Sequence, residues 1–116
     1  MEVQIFGTRK CRGTQKALRF FNERRVKIHM VDLDVRPASA GELRRFAQKF
    51  GAEALLDREG KRFRDRGLRV GVVSESRLLP MLEEDPHLLR TPLVRSGNRL
   101  AIGTVPEEWG KMMVEL

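Results

Sequence analysis

Polar and apolar residues alternate from Glu2 to Phe6 (EVQIF), the pattern of a strand with one buried face. Gly7-Thr8 breaks it. From about Arg12 to Arg25 the spacing changes: Ala17, Leu18 and Phe21 share one face of a helix, with Phe20 beside them. Val26 to Leu33 alternates again. Val26, Ile28 and Met30 fall on one side and His29, Val31 and Leu33 on the other, which predicts a second strand, largely buried. Asp34 to Pro37 is a loop. Ser39 and Glu42 have the spacing of a capping box, and the helix they open runs to Phe50, with Leu43, Phe46, Ala47 and Phe50 on one face and Gly51 as its stop.

Asp57 to Arg69 is strongly charged and holds two glycines, so it reads as loop plus a short irregular helix. Ser74 or Ser76 can cap a helix carrying Leu78, Leu79 and Leu82 and ending near Asp85-Pro86. Pro80 is tolerated in it only near the first turn. Thr91 to Arg95 is a short strand, Ser96-Gly97-Asn98 a hairpin turn, and Arg99 to Gly103 the return strand. Thr104 and Glu107 form a second capping box, opening a last helix with Trp109, Met112, Met113 and Leu116. The order is β-α-β, then helices, then β-β-α. It predicts an α/β fold of the thioredoxin arrangement: a four-stranded mixed sheet, helices on both faces, strands 1 and 2 parallel, and the hairpin antiparallel.

The 116 residues fit one domain, with a helical insertion at about 39–85, and such a length can bury enough surface to fold without a disulfide or metal. No apolar run approaches the roughly 20 residues of a membrane span, and the opening MEVQIFG does not read as a signal peptide. One cysteine cannot form an internal disulfide, so a reducing cytoplasm is the expected compartment. The net charge of +7 suits anionic partners, but arginines and lysines are interleaved with sixteen acids along the whole chain, as on a generally solvated basic surface. No zinc-finger spacing, RNA-recognition signature or basic-helix-plus-heptad pattern is present, which argues against sequence-specific nucleic-acid binding. Cys11, His29 and His87 lack the paired spacing of a metal site.

The sole cysteine changes the picture most. Cys11 falls where the first strand gives way to the first helix, with Arg9, Lys10 and Arg12 around it. Unpaired amides and the dipole at a helix start favour negative charge, and nearby cations add to it. Such surroundings take a thiol from about pKa 8.5 to between about 3.5 and 7.5. The other reading is a small buried cysteine packed like alanine.

Four stretches in order, IFGTRKCRGTQKAL, VDLDVRPASAGELRRF, ALLDREGKRFRDRGL and HLLRTPLVRSGNRLAIG, span nearly the whole chain. Together they resemble the ArsC/Spx/YffB family, the arsenate-reductase-like branch of the thioredoxin superfamily. The resemblance implies a thiol-dependent oxidoreductase with no bound cofactor. Cys11 is its nucleophile and an external thiol, glutathione or a glutaredoxin-like protein, its reductant. The substrate is an oxyanion or a thiol small molecule. Arg12, Gly13, Thr14 and the amides of the first helix turn are expected to bind the anion, with Arg9, Lys10, Arg58, Arg90 and Arg99 in support. It also implies a cis Thr91-Pro92 bond facing Cys11, whose backbone pairs with an extended thiol substrate. The family's arginine before that proline falls on Thr91, and strand alternation turns Arg90, one residue earlier, away from Cys11. Its late arginine falls on Ile102. The nucleophile therefore matches while the oxyanion arginines are displaced or missing. In the family's regulatory branch, typified by Spx, a CxxC disulfide switches binding to RNA polymerase. Thr14 stands at the second cysteine here, so the alternative is a regulatory protein that binds a polymerase subunit or another acidic partner without that switch.

Overall fold

Strand β1 (Glu2–Gly7) is one of two inner strands of a four-stranded sheet. The computed structural model describes residues 2–67 and 74–114. Leu68 and Arg69, at the end of the charged segment, and Leu116, in the last expected helix, lie outside them. The other elements are α1 (Arg12–Glu23), β2 (Lys27–Asp32), α2 (Ala40–Phe50), α3 (Lys61–Asp65), α4 (Glu75–Glu84), β3 (Leu93–Ser96), β4 (Arg99–Ile102) and α5 (Pro106–Val114), with short 3-10 turns at Ala52–Leu55 and Pro86–Leu88. The described residues form two compact units. Of the described residues, one unit comprises 2–36 and 91–114, the other 37–67 and 74–90.

In the first unit the four strands lie in the order β2-β1-β3-β4. β1 runs parallel to β2 and antiparallel to β3, and β3 pairs antiparallel with β4. Alternation gives each strand two faces. Val3, Ile5, Val94 and Ala101 share one, and Ala17 and Phe21 of α1 and Trp109 and Met112 of α5 join them in a buried cluster. The rings of Phe20, Phe21 and Trp109 meet edge-on or tilted within it, with centroids 5.1 to 6.0 Å apart. On the opposite face Phe6, Val31 and Leu93 are buried, while Gln4, His29 and Arg95 flank a small polar cavity. β2 is an edge strand, not the largely buried one expected: Lys27 and His29 are exposed, and only Val31 within the strand is buried. Its two-sided alternation was read correctly. What periodicity could not show was that, among the described residues, no strand lies beyond it.

The hairpin turns at Gly97 and Asn98. Gly97 takes φ 60 while Asn98 stays at negative φ, the pattern of a II′ turn, whose twist suits the flanking strands. The last helix begins at Pro106, whose missing N–H costs nothing in the first turn. Val105, whose carbonyl accepts from Glu108 and Trp109, therefore stands at the cap, one residue after the expected Thr104.

In the second unit the Ser39 cap forms as expected. Its hydroxyl accepts from the Glu42 amide at 3.1 Å, and the Glu42 carboxylate accepts from the Ser39 amide at 2.8 Å. α2 and α4 pack against the Ala52–Leu55 turn, and Leu43, Phe46, Leu55, Leu78 and Leu82 are buried. Pro80 sits in the middle of α4 rather than near its start. The Ser76 carbonyl thus loses its helical partner, but both residues face solvent, where water can serve.

α1 ends in a Schellman motif. The Val26 amide donates to Phe21 O and the Arg25 amide to Asn22 O, both at 3.0 Å. This forces Arg25 to φ 59, a conformation that a side chain resists and glycine adopts freely. Arg25→Gly is expected to raise stability by about 1 kcal/mol. The check is the denaturant midpoint, which should rise at unchanged slope.

Candidate active site around Cys11

The β1–α1 loop carries the sulfur. Cys11 is the N-cap of α1 with extended backbone (φ −73, ψ 122), its amide donating to Thr8 O and its carbonyl accepting from Gln15. Residues 12, 13 and 14 form the first helical turn below it. The register Phe6↔Leu93 then brings the start of β3 beside this loop. Thr91-Pro92 is cis, as the resemblance implied. The Thr91 hydroxyl donates to Cys11 Sγ at 3.0 Å, and the thiol in turn lies 3.8 Å from Thr91 O.

Two glycines let these pieces meet. A Cβ on Gly7 would overlap the Thr14 hydroxyl, and one on Gly13 would meet Thr104 Oγ1 at 2.6 Å and Pro92 Cδ at 3.0 Å. Cys11 itself is partly exposed, so it is not the buried, alanine-like cysteine of the alternative reading.

Burial pushes the Cys11 thiol up. The hydroxyls of Thr14 and Thr91 and the amides of Thr14 and Gly13 more than offset this, and its pKa lies below the ordinary value. Thr14 Oγ1 is wholly buried with no partner at full hydrogen-bond geometry, and no cap bond closes from Cys11 to the amides. Of the neutral donors, only Thr91 is therefore seated on the sulfur in this conformation. Thr14 and the amides act at longer range and are free to close on a thiolate.

The cations enter differently from the expectation. Arg9 is largely exposed and pairs loosely with Asp32 at 3.6 Å, while Lys10 and Arg12 are exposed. None of them is among the groups that lower the Cys11 pKa. Arg99 begins β4 opposite Ser96, level with the start of β1, whereas Cys11 follows the end of β1. It stands at the far end of the sheet from the sulfur. Arg58 and Arg90 both belong to the second unit and line one cavity of about 500 Å³ there with Glu53, Asp57 and Glu59. Arg58 is paired with Glu53 at 3.1 Å; Arg90 is exposed, with its amide held by Leu55 O. Thus Cys11, Gly13, Thr14, Thr91 and Pro92 come together, and Arg12 flanks them. The sequence reading undervalued Gly7 and the Thr91 side chain. A glycine immediately before the strand-to-helix loop was the only hint of the first. Thr91 was read for its backbone and as a missing arginine, not for its hydroxyl. Among the described residues no group of three or more His, Cys, Asp or Glu could hold a metal ion, and no helix is long and apolar enough to cross a membrane.

A four-stranded mixed sheet with flanking helices, carrying a part-exposed thiol at the head of its first helix, defines a thioredoxin-like protein. The chain belongs to the ArsC family, whose profile matches residues 6–112. It is 26% identical over 108 residues to the global transcriptional regulator Spx of Streptococcus mutans, covering 91% of this chain and 79% of that protein. The uncharacterized protein YfgD of Escherichia coli is 24% identical over 110 residues, with 92% of each covered. The structure of an arsenate reductase from Vibrio cholerae superposes with a TM-score of 0.81 at 22% identity, over 97% of this chain and 98% of that one.

Removing the Thr91 donor should disfavour the thiolate. In Thr91→Val the pH midpoint of Cys11 alkylation is expected to move up; an unmoved midpoint would show that this hydroxyl does not tune the sulfur. The linked stability has a definite sign. A depressed folded pKa stabilises the fold above the unfolded thiol's pKa, and that contribution is lost as pH falls through the folded pKa. Gly7→Ala should cost roughly 1–3 kcal/mol by overpacking. A second change, Thr14→Ala, should recover part of that cost in a double-mutant cycle read by chemical denaturation.

Proposed function

We propose that the protein is a thiol-dependent oxidoreductase of the arsenate-reductase-like kind, with Cys11 as its single nucleophile and an external thiol as its reductant. The observation that carries this reading is the part-exposed Cys11 Sγ at the N-cap of α1, with the Thr91 hydroxyl seated on it at 3.0 Å. On a disulfide substrate the Cys11 thiolate attacks one sulfur. A new S–S bond forms as the old one breaks, and the departing thiolate carries away the electron pair. A second external thiolate then attacks the outer sulfur of the mixed disulfide and releases Cys11 as thiolate. The chain has no second cysteine to resolve that intermediate, so glutathione or a glutaredoxin-like protein must do it. Such chemistry belongs to a reducing compartment such as the cytoplasm.

An oxyanion substrate would make a further demand, since its charge needs donors beyond the sulfur. Arg12 and the first-turn amides are the groups on α1 that can supply them. Arginine is absent from position 91, so the preferred substrates are thiols and disulfides rather than arsenate.

The names of the Spx relatives favour a second reading: a regulator that binds an acidic partner, such as a subunit of RNA polymerase, without turnover. The two separate in one experiment. Mixed-disulfide formation with oxidised glutathione, followed by mass spectrometry, should occur in the parent and vanish in Cys11→Ser. Alkylation of Cys11 with and without arsenate then tests the oxyanion. No mixed disulfide, with an alkylation midpoint at the value of a free thiol, would overturn the oxidoreductase reading. Strong protection by arsenate would overturn the stated preference for thiols.

A further inference from the structure

Away from the sulfur, α1 and α5 enclose a groove of about 280 Å³ in the first unit. Its lining includes Lys16, Arg19, Glu23 and Arg24, with Phe20 and Trp109 beneath. Arg24 is fixed there: its guanidinium lies 3.6 Å over the Phe20 ring and donates to Phe20 O at 2.9 Å. None of the three cations makes an ion pair with a described residue. Three positive charges against one acid, over an aromatic floor, give this groove a net positive face that complements carboxylates. One of the cations is already held in place, so little ordering cost remains for it on binding.

We propose that this groove docks an acidic segment of a partner protein, with carboxylates on Lys16, Arg19 and Arg24 and an apolar side chain against Phe20 and the adjoining Pro106. A nucleic acid fits less well. Single strands need open ring faces on which bases stack. Here Arg24 covers one face of Phe20, and Trp109 is only 1% exposed. Glu23 would also sit against a continuous run of phosphates, whereas a peptide can place a neutral or basic residue there. The inference is independent of turnover at Cys11, because the groove lies along the side of α1 and uses none of the groups around the sulfur.

Trp109 is the only tryptophan, the chain has no tyrosine, and the indole lines the groove, so its emission reports on occupancy. The probe is a synthetic ten-residue peptide of alternating glutamate and leucine, titrated into the full chain. A single-stranded oligonucleotide serves as the second arm. Saturable change in Trp109 emission with the peptide is expected, weakening as salt rises. Binding should fall about tenfold or more in Lys16→Glu/Arg19→Glu, whose exposed side chains make no bond that folding requires. Arg24→Gln, with its far-ultraviolet circular dichroism checked against the parent, should weaken binding as well, and Cys11→Ser should bind as the parent does. Equal peptide affinity in the parent and Lys16→Glu/Arg19→Glu would overturn the proposal. So would tighter binding of the oligonucleotide, loss of peptide binding in Cys11→Ser, or no peptide binding at low salt.

Discussion

Two hydrogen bonds join residues eighty positions apart: the Thr91 hydroxyl donates to Cys11 Sγ, and the thiol donates to Thr91 O. They exist only because β1 and β3 pair in one register. With Phe6 opposite Leu93, the two residues before β3 reach the loop that follows β1. A slip of one residue would turn every side chain of β3 to the other face. The apolar set Val94–Ala101 would leave the α1 and α5 side, and Thr91 would leave the sulfur. Core packing and the donor on the thiol are therefore enforced by the same alignment. The close approaches of Gly7 to Thr14, and of Gly13 to Thr104 and Pro92, tighten it further. They leave no room for a Cβ where the two loops meet the first turn of α1.

The sulfur is tuned by neutral groups, and this separates it from the basic character of the chain. Burial alone would keep the proton on, since a thiolate loses solvation there. Hydroxyls and amides reverse that because they are short neutral dipoles held beside the sulfur by the fold, so that seating them on a thiolate costs little ordering. Exposed cations such as Arg12 offer less. Water screens them, and holding a long side chain over the sulfur costs conformational entropy. A thiol tuned in this way should keep its reactivity over a wide range of ionic strength, unlike one dependent on surface charge.

Much of the fold was legible because short-range rules governed it. The alternation in β1, the Ser39 capping box and the Gly97 turn each depend on a few neighbouring residues, and each formed as read. Cys11 was legible too, since a lone thiol between a strand pattern and a helix pattern has few places to be. What escaped was set at long range. Whether β2 is inner or edge depends on what lies beside it. Arg99 looked close to the site in a linear list of cations, yet the antiparallel order carries it to the opposite end of the sheet. The Thr91 side chain was visible only as a departure from arginine; its role follows from the partner that topology brings to it. Pro80 shows the converse case, where a local rule yields because the lost hydrogen bond faces water and Leu78 and Leu82 of α4 are already buried.

Helix α1 thus carries two kinds of chemistry that do not compete. Its first turn holds a partly covered sulfur among neutral donors. Its later turns, through Lys16, Arg19 and Arg24, present charge over a packed aromatic floor. Lys16 is five residues beyond Cys11, about 7.5 Å along the axis at the helical rise. Charge at that distance, screened at the surface, can gather and orient an acidic partner while contributing little to the acidity of the thiol. The partition has a consequence for a one-cysteine protein. In the proposed exchange the second thiol comes from outside, so the encounter with that thiol's carrier is part of that proposed reaction. A helix that tunes its sulfur with hydroxyls leaves its exposed cations available for a separate encounter with an acidic partner, whether or not the sulfur turns over.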